Sequence, residues 1–180
     1  MELASVVMTR IDQRLVHGQV GVSWGNAVDA DTLVVVDDET QQNILARKLM
    51  ESVARASQKK IRFYTIADFI EVYFRSESSQ KLFLVVNSPL VVKKLVEKEI
   101  PIHSINVGNL HYSKGKAIFN RKVYLDDEEI EAFNYLTSKG IDVFYQDVPG
   151  ANVEKIYQLE RKGKSVINHK NSSNSSISST

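Results

Sequence analysis

The sequence predicts an α/β protein, a single domain whose doubly wound, mostly parallel sheet of about six to seven strands is flanked by helices. Three observations predict it. Short β-branched apolar runs alternate with longer stretches of helical period along most of the 180 residues. Most of these runs are apolar throughout, as strands are when helices cover both faces of their sheet. Repeated strand–helix–strand units also close as parallel pairs with right-handed crossovers.

The elements follow in order. "ASVVMT" (4–9), "TLVVVD" (32–37), "IRFYT" (61–65), "LFLVVN" (82–87), "HSINV" (103–107), "KVYL" (122–125) and "DVFYQ" (142–146) read as strands. Between them, "GQVGVSWGNAV", "TQQNILARKLMESVARAS", "IADFIEVYFR", "SPLVVKKLVEKE" and "DDEEIEAFNYLTSKG" have helical character. Thr40 stands at the mouth of the second helix and Ser88-Pro89 at that of the fourth, while Asp126 with Glu129 suits a capping box on the fifth. Gly140 ends the fifth helix where a left-handed cap is expected. The stretch "GNLHYSKGKAIFNRKVY" is too polar and glycine-rich for a helix and reads as a loop or hairpin. After Pro149 one helix is expected, "NVEKIYQLERKG". Residues 1–164 are assigned to the domain, and 165–180 to a Ser/Asn-rich tail of disordered composition. The tail's "NSS" triplets match a glycosylation pattern, but no secretory signal accompanies them.

Composition removes several functions. With no cysteine, disulfides, thiolate catalysis and thiolate metal sites are excluded. The 23 basic and 22 acidic residues leave a formal net charge of +1, which gives no field to recruit nucleic acid or anionic lipid. No apolar run approaches the roughly 18 residues of a membrane span, and "MELASVV" lacks the pattern of a secretory leader. A soluble cytoplasmic domain is expected.

One loop gathers chemistry. "TRIDQRLVHGQVG" (9–21) carries Arg10, Asp12, Arg14 and His17 from the end of the first strand into the first helix. Ligands of open parallel sheets bind at such carboxyl-end turns. A neutral imidazole is a good nucleophile toward phosphorus. The helix start at Gly18 and Gln19 offers free N–H groups that favour an anion. Arg10 and Arg14 offer forked donors for phosphate oxygens. Asp12 could fix one arginine or hold the tautomer of His17. The constellation reads as a phosphoryl-accepting histidine in an anion cradle, with Arg10, Asp12, Gly18 and Gln19 supporting. The ordinary alternative is a set of solvated loop charges in which His17 only caps the helix.

Other candidates carry less. "RKGKS" (161–165) ends like a phosphate loop, but Gln158 occupies the position of its first glycine. No G-x-G-x-x-G follows a strand. Asp37-Asp38-Glu39 could bind a metal or a ribose, although a polar strand end before a helix is the favoured reading. "NVGN" (106–109) either supplies backbone donors to the same mouth or is a tight turn. His103 and His111 lack metal-like spacing and His169 lies in the expected tail, so surface or structural roles are favoured for all three. Trp24 reads as core.

The segments "RIDQRLVHGQV", "LVVVDDE", "NSP", "INVGN" and "FYQDVPG" resemble, in that order, the IIB component of the mannose/fructose/sorbose family of the bacterial sugar phosphotransferase system (PTS). The likeness runs from Thr9 to Gly150. "LVHGQVGVSW" and "VGNLHYSKGK" most resemble the branch specific for N-acetylgalactosamine and galactosamine. The resemblance implies a parallel α/β fold and a protein-phosphohistidine–sugar phosphotransferase. Such a protein accepts a phosphoryl group from a phosphorylated IIA protein and gives it to a sugar presented by membrane IIC and IID components. The resemblance places the acceptor on the δ nitrogen of His17 (a pros-phosphohistidine) and the assisting arginine on Arg14, with Asp12 and Arg10 also matched. The chemistry requires no metal or cofactor. The competing class is a non-catalytic domain that binds an anion or a partner with the same loop. A nucleotide-using enzyme is disfavoured by the missing glycine fingerprints.

Overall fold

In the strand β2 (Thr32–Val36) every residue is buried, and its side chains divide between two cores. Val34 and Val36 join one, Leu33 and Val35 the other. That division is what a strand sandwiched between helix layers requires. The computed structural model describes residues 3–75 and 79–170. Its main sheet has the order β3-β2-β4-β1-β5-β8-β9, built from β3 (Lys60–Tyr64), β2, β4 (Lys81–Val86), β1 (Ser5–Ile11), β5 (Ser104–Val107), β8 (Asp142–Tyr145) and β9 (Glu154–Lys155). The first six are parallel and β9 is antiparallel.

Helices α1 (Gly18–Ala27) and α2 (Ile44–Ala56) cover one face through Trp24, Met50 and Ala54. Helices α3 (Ile66–Arg75), α4 (Pro89–Glu97) and α5 (Asp127–Ser138) cover the other through Phe69, Leu95, Phe133 and Leu136. The predicted end signals operate on α4 and α5. The Ser88 side chain accepts from the Leu90 N–H before Pro89, Asp126 and Glu129 form a complete capping box, and Gly140 has φ +76°. At α2 the signal lies elsewhere. Thr40–Gln42 form a 3-10 turn, and the cap is Asn43, whose side chain accepts from the Ala46 N–H.

Three expectations are corrected. "KVYL" does not join the main sheet: β6 (Ala117–Asn120) and β7 (Val123–Leu125) form an antiparallel hairpin in a second sheet, completed by β10 (Gln158–Lys162) and β11 (Ser165–His169) in the order β10-β11-β6-β7. The helix expected over 152–163 is instead β9 and β10 (Gln158–Lys162). Residues 158–162 pair with 165–169, and Asn134 of α5 fastens the strand from its other side: its amide receives the Leu159 N–H at 2.7 Å and donates to the Leu159 carbonyl at 2.9 Å. Finally, Ser165–His169, assigned to the tail, is β11, paired with β10 across a turn in which Gly163 has φ +57°. The rest of the expected tail, 171–180, lies outside the described residues.

β1 and β5 are neighbours whose following helices pack on opposite faces of the sheet. The crevice at their carboxyl ends is therefore the switch point of the fold, where open α/β sheets place their ligands. The loop of His17 stands there.

Candidate active site

Arg10 is the last but one residue of β1, and its side chain points inward, 3 % exposed. Its guanidinium donates to Asp12 Oδ2 at 2.8 Å, to Asn106 Oδ1, and to the Gln146 carbonyl at 3.4 Å, and it lies 5.2 Å from the centre of the Trp24 ring. Burial pushes its pKa below the ordinary arginine value, while Asp12 acts in the opposite direction. An arginine stays protonated through such a shift, so Arg10 and Asp12 form a buried ion pair beneath the loop. Arg10 was expected to face phosphate. The structure instead spends its donors inside the protein, because three elements converge on it.

That convergence explains a signal that the sequence left open. "NVGN" is neither a plain turn nor a row of free donors. Asn106 accepts from Arg10, and the Gly108 N–H is used by the Ile11 carbonyl at 2.7 Å. A Cβ on residue 108 would stand 2.6 Å from the Arg10 guanidinium carbon and 2.7 Å from Asp12 Oδ2, so only glycine fits. Trp24 is core, as expected, and also serves the site, since its Nε1–H donates to the Asp147 carbonyl at 3.0 Å.

Asp12 is fully buried and shapes the loop above it. Its Oδ1 accepts from the Arg14 N–H at 3.1 Å, and its backbone carbonyl accepts from the Leu15 N–H at 2.8 Å. Leu15 adopts φ +56°, a left-handed conformation that costs a non-glycine residue roughly 1–2 kcal/mol. The fold retains it by burying the leucine side chain among Val16, Trp24 and Val85. The result turns the Leu15 carbonyl toward His17, whose Nδ1 lies 2.8 Å from it. A carbonyl oxygen only accepts, so Nδ1 carries the proton. Nε2 then holds the lone pair, and it is buried without a hydrogen-bond partner among the described residues. In this rotamer neither nitrogen presents a lone pair to solvent, and the ring must turn before either one attacks phosphorus.

His17 occupies the N-cap position of α1 with extended backbone; its carbonyl accepts from the Gly21 N–H at 2.8 Å, and its side chain makes no capping bond. Gly18 follows at φ +47°, and Gly18 and Gln19 are exposed in a first turn that carries no acidic side chain. The first N–H groups of that turn have no partner within the helix, as at any helix start. Arg14 is also exposed, and its guanidinium has no hydrogen bond or ion pair among the described residues. The structure thus brings Arg14, His17, Gly18 and Gln19 to one surface and sets Arg10 and Asp12 beneath it.

Gln13 was overlooked by sequence reading. Its N–H donates to the Asn109 carbonyl and its Oε1 accepts from the His111 N–H, both at 2.8 Å. These bonds fasten the loop to the segment leading into the β6–β7 hairpin. The only sequence signal was its place inside the charged motif. The other candidates are structural. Asp37 accepts from the Thr40 N–H at 2.8 Å and from Asn87 Nδ2 at 2.6 Å, and Asp38 from the Ile66 N–H at 2.9 Å. His103 is exposed away from the loop, and His169, on β11, lies 3.5 Å from Glu160.

An α/β sheet with a histidine, a free arginine and an open helix start at its switch point defines a class of protein able to handle an anionic group covalently or electrostatically. Comparison with known proteins gives the family. Residues 6–172 match the PTS system sorbose subfamily IIB component. The chain is 43% identical over 156 residues to the N-acetylgalactosamine-specific phosphotransferase enzyme IIB component 1 of Escherichia coli K12, covering 87% of this chain and 99% of that one. It is 32% identical over 137 residues to the mannose-specific EIIAB component of the same strain, covering 76% of this chain and 42% of that protein. The crystal structure of the Escherichia coli N-acetylgalactosamine-specific IIB component 1 superposes with a TM-score of 0.80 at 43% identity, over 84% of this chain and 99% of that one. The chain belongs to the sorbose subfamily of PTS IIB components, which are phosphotransferases of sugar uptake that work with IIA, IIC and IID components. No helix among the described residues is long and apolar enough to cross a membrane.

Proposed function

We propose that His17 is the phosphoryl carrier of this chain. It takes the group from a phosphorylated IIA protein and delivers it to N-acetylgalactosamine or galactosamine, held by membrane IIC and IID components at the cytoplasmic face. The observation that carries this reading is the placement of His17 between an unpaired Arg14 and the open first turn of α1, at the switch point of the sheet. The names of the relatives most similar in sequence support the choice of sugar.

In the first half-reaction the ring leaves the Leu15 carbonyl, Nδ1 passes its proton to water as Nε2 takes one up from water, and the freed Nδ1 lone pair attacks phosphorus. The new N–P bond forms as the N–P bond of the donor breaks. In the second, a sugar hydroxyl attacks phosphorus, the His17 N–P bond breaks, and the hydroxyl proton passes to the released imidazole or to water. Arg14 and the N–H groups of Gly18 and Gln19 face the oxygens that carry charge during both transfers. Arg10 and Asp12 hold the loop in shape. The cradle is open, which suits a carrier that must release what it binds.

Incubation with phosphoenolpyruvate and the upstream carriers is expected to add one acid-labile phosphate at His17. His17→Ala should take none, and a His17→Ala chain that is still phosphorylated would overturn the reading. Arg14→Gln is expected to slow transfer about 100-fold. A non-catalytic anion-binding role predicts instead that anion binding survives loss of the imidazole with no covalent species.

A further inference from the structure

Beside the His17 loop, the β6–β7 hairpin encloses an open cleft of about 320 Å³, at the small end of the range of roughly 300–1,000 Å³ typical of small-molecule sites. Its wall is lined by Arg14, Asn109, His111, Tyr112, Arg121 and Tyr124. The Arg121 guanidinium, like that of Arg14, has no hydrogen bond or ion pair among the described residues. The neighbouring Lys122 is already paired with Asp147. Two free guanidiniums therefore face one cavity with no carboxylate to neutralise them. Tyr112 is 66 % exposed and stands edge-on to Tyr124, with ring centres 5.5 Å apart, so an aromatic face is held open to solvent next to the cations.

We infer that this cleft is a binding site for a phosphorylated hexose, the product of the transfer that the preceding section proposes and on which this inference rests. A phosphate dianion suits the forked donors of Arg14 and Arg121. The C–H face of a pyranose suits the exposed Tyr112 ring, and its hydroxyls suit the Asn109 amide. Arg14 belongs both to the His17 loop and to this wall, so a phosphoryl group leaving His17 already lies against one of the two arginines. The two bonds of Gln13 hold the wall and the hairpin in fixed relation. A sugar without phosphate leaves both guanidiniums unpaired, and inorganic phosphate leaves the ring bare. The site thereby gives this subunit a share in recognising the sugar as well as the phosphoryl group.

The test is a two-dimensional amide NMR titration of the full chain with N-acetylgalactosamine 6-phosphate, inorganic phosphate and N-acetylgalactosamine in parallel. Shifts confined to 109–124 and the Arg14 region are expected, with the sugar phosphate binding about tenfold more tightly than either fragment. Tyr112→Ala should remove most of that advantage and leave inorganic phosphate unaffected, while Arg121→Gln should weaken both. Equal binding of sugar phosphate and phosphate, or no response of the hairpin, overturns the inference. So does sugar-phosphate binding that both variants leave intact while donor phosphorylation of His17 slows, since the cleft would then dock the donor protein. Repeating the titration on His17→Ala separates the two readings. A wild-type His17 that never takes phosphate overturns the proposed function, whereas a phosphorylated His17 beside a silent hairpin overturns only the cleft.

Discussion

The Nδ1 of His17 lies 2.8 Å from the carbonyl oxygen of Leu15, a residue held at φ +56°. A local backbone conformation that most side chains avoid is thus coupled to the protonation state of one imidazole nitrogen. The coupling predicts that resting His17 is the Nδ1–H tautomer, which 15N shifts of the ring nitrogens will read directly. Leu15→Val introduces a β-branched residue that the left-handed conformation rejects. It is expected to cost about 1–3 kcal/mol in urea unfolding and to abolish the Nδ1–H preference. Retention of that tautomer in the variant would disconnect the two residues.

The Arg10–Asp12 pair predicts a non-additive pattern. Asp12→Asn leaves a buried guanidinium without its carboxylate and is expected to cost about 3–5 kcal/mol. Arg10→Met with Asp12→Asn removes both charges, and the double variant should be less destabilised than the sum of the singles. Simple additivity in denaturant unfolding would show that the pair does not act as a unit.

Alkaline stability should depend on Tyr73. Burial holds its hydroxyl above the ordinary value of 10.0, and the hydroxyl donates to the Ala4 carbonyl at 2.7 Å. Because the folded pKa lies above the unfolded one, the contribution is fully present below about pH 10 and is lost as pH rises through the folded value. Tyr145 is raised in the same way, chiefly by burial. Tyr73→Phe is expected to cost about 1 kcal/mol at neutral pH and to flatten the decline in stability above about pH 10. An unchanged alkaline limb in chemical denaturation would contradict this.

Asn134 predicts a local effect. Its amide satisfies both backbone groups of Leu159, so Asn134→Ala leaves two polar groups unpaired and is expected to cost about 2 kcal/mol. Hydrogen exchange at Leu159 should accelerate well before exchange in β1 or β4. Uniform loss of protection across the chain would argue against a local clamp.

The main sheet was legible because its information is local. Val34, Val35 and Val36 are apolar on both faces, Ser88-Pro89 and Asp126 with Glu129 act within one helical turn, and His17 lies a few residues from the strand that positions it. The strand β10 was not legible, because "QLERK" has the composition of a helix and becomes a strand by pairing with β11, with Asn134, 25 residues before Leu159, holding its other side. The roles within the charged loop divide the same way. Sequence by itself determined that Arg10, Asp12, Arg14 and His17 cluster at a strand-to-helix turn, since their spacing requires no distant partner. Tertiary structure alone decided which arginine faces solvent. Asn106, Gln146 and Trp24 converge on Arg10, and Gly108 leaves room for it, so one guanidinium is drawn into the protein and the other is left free for an anion.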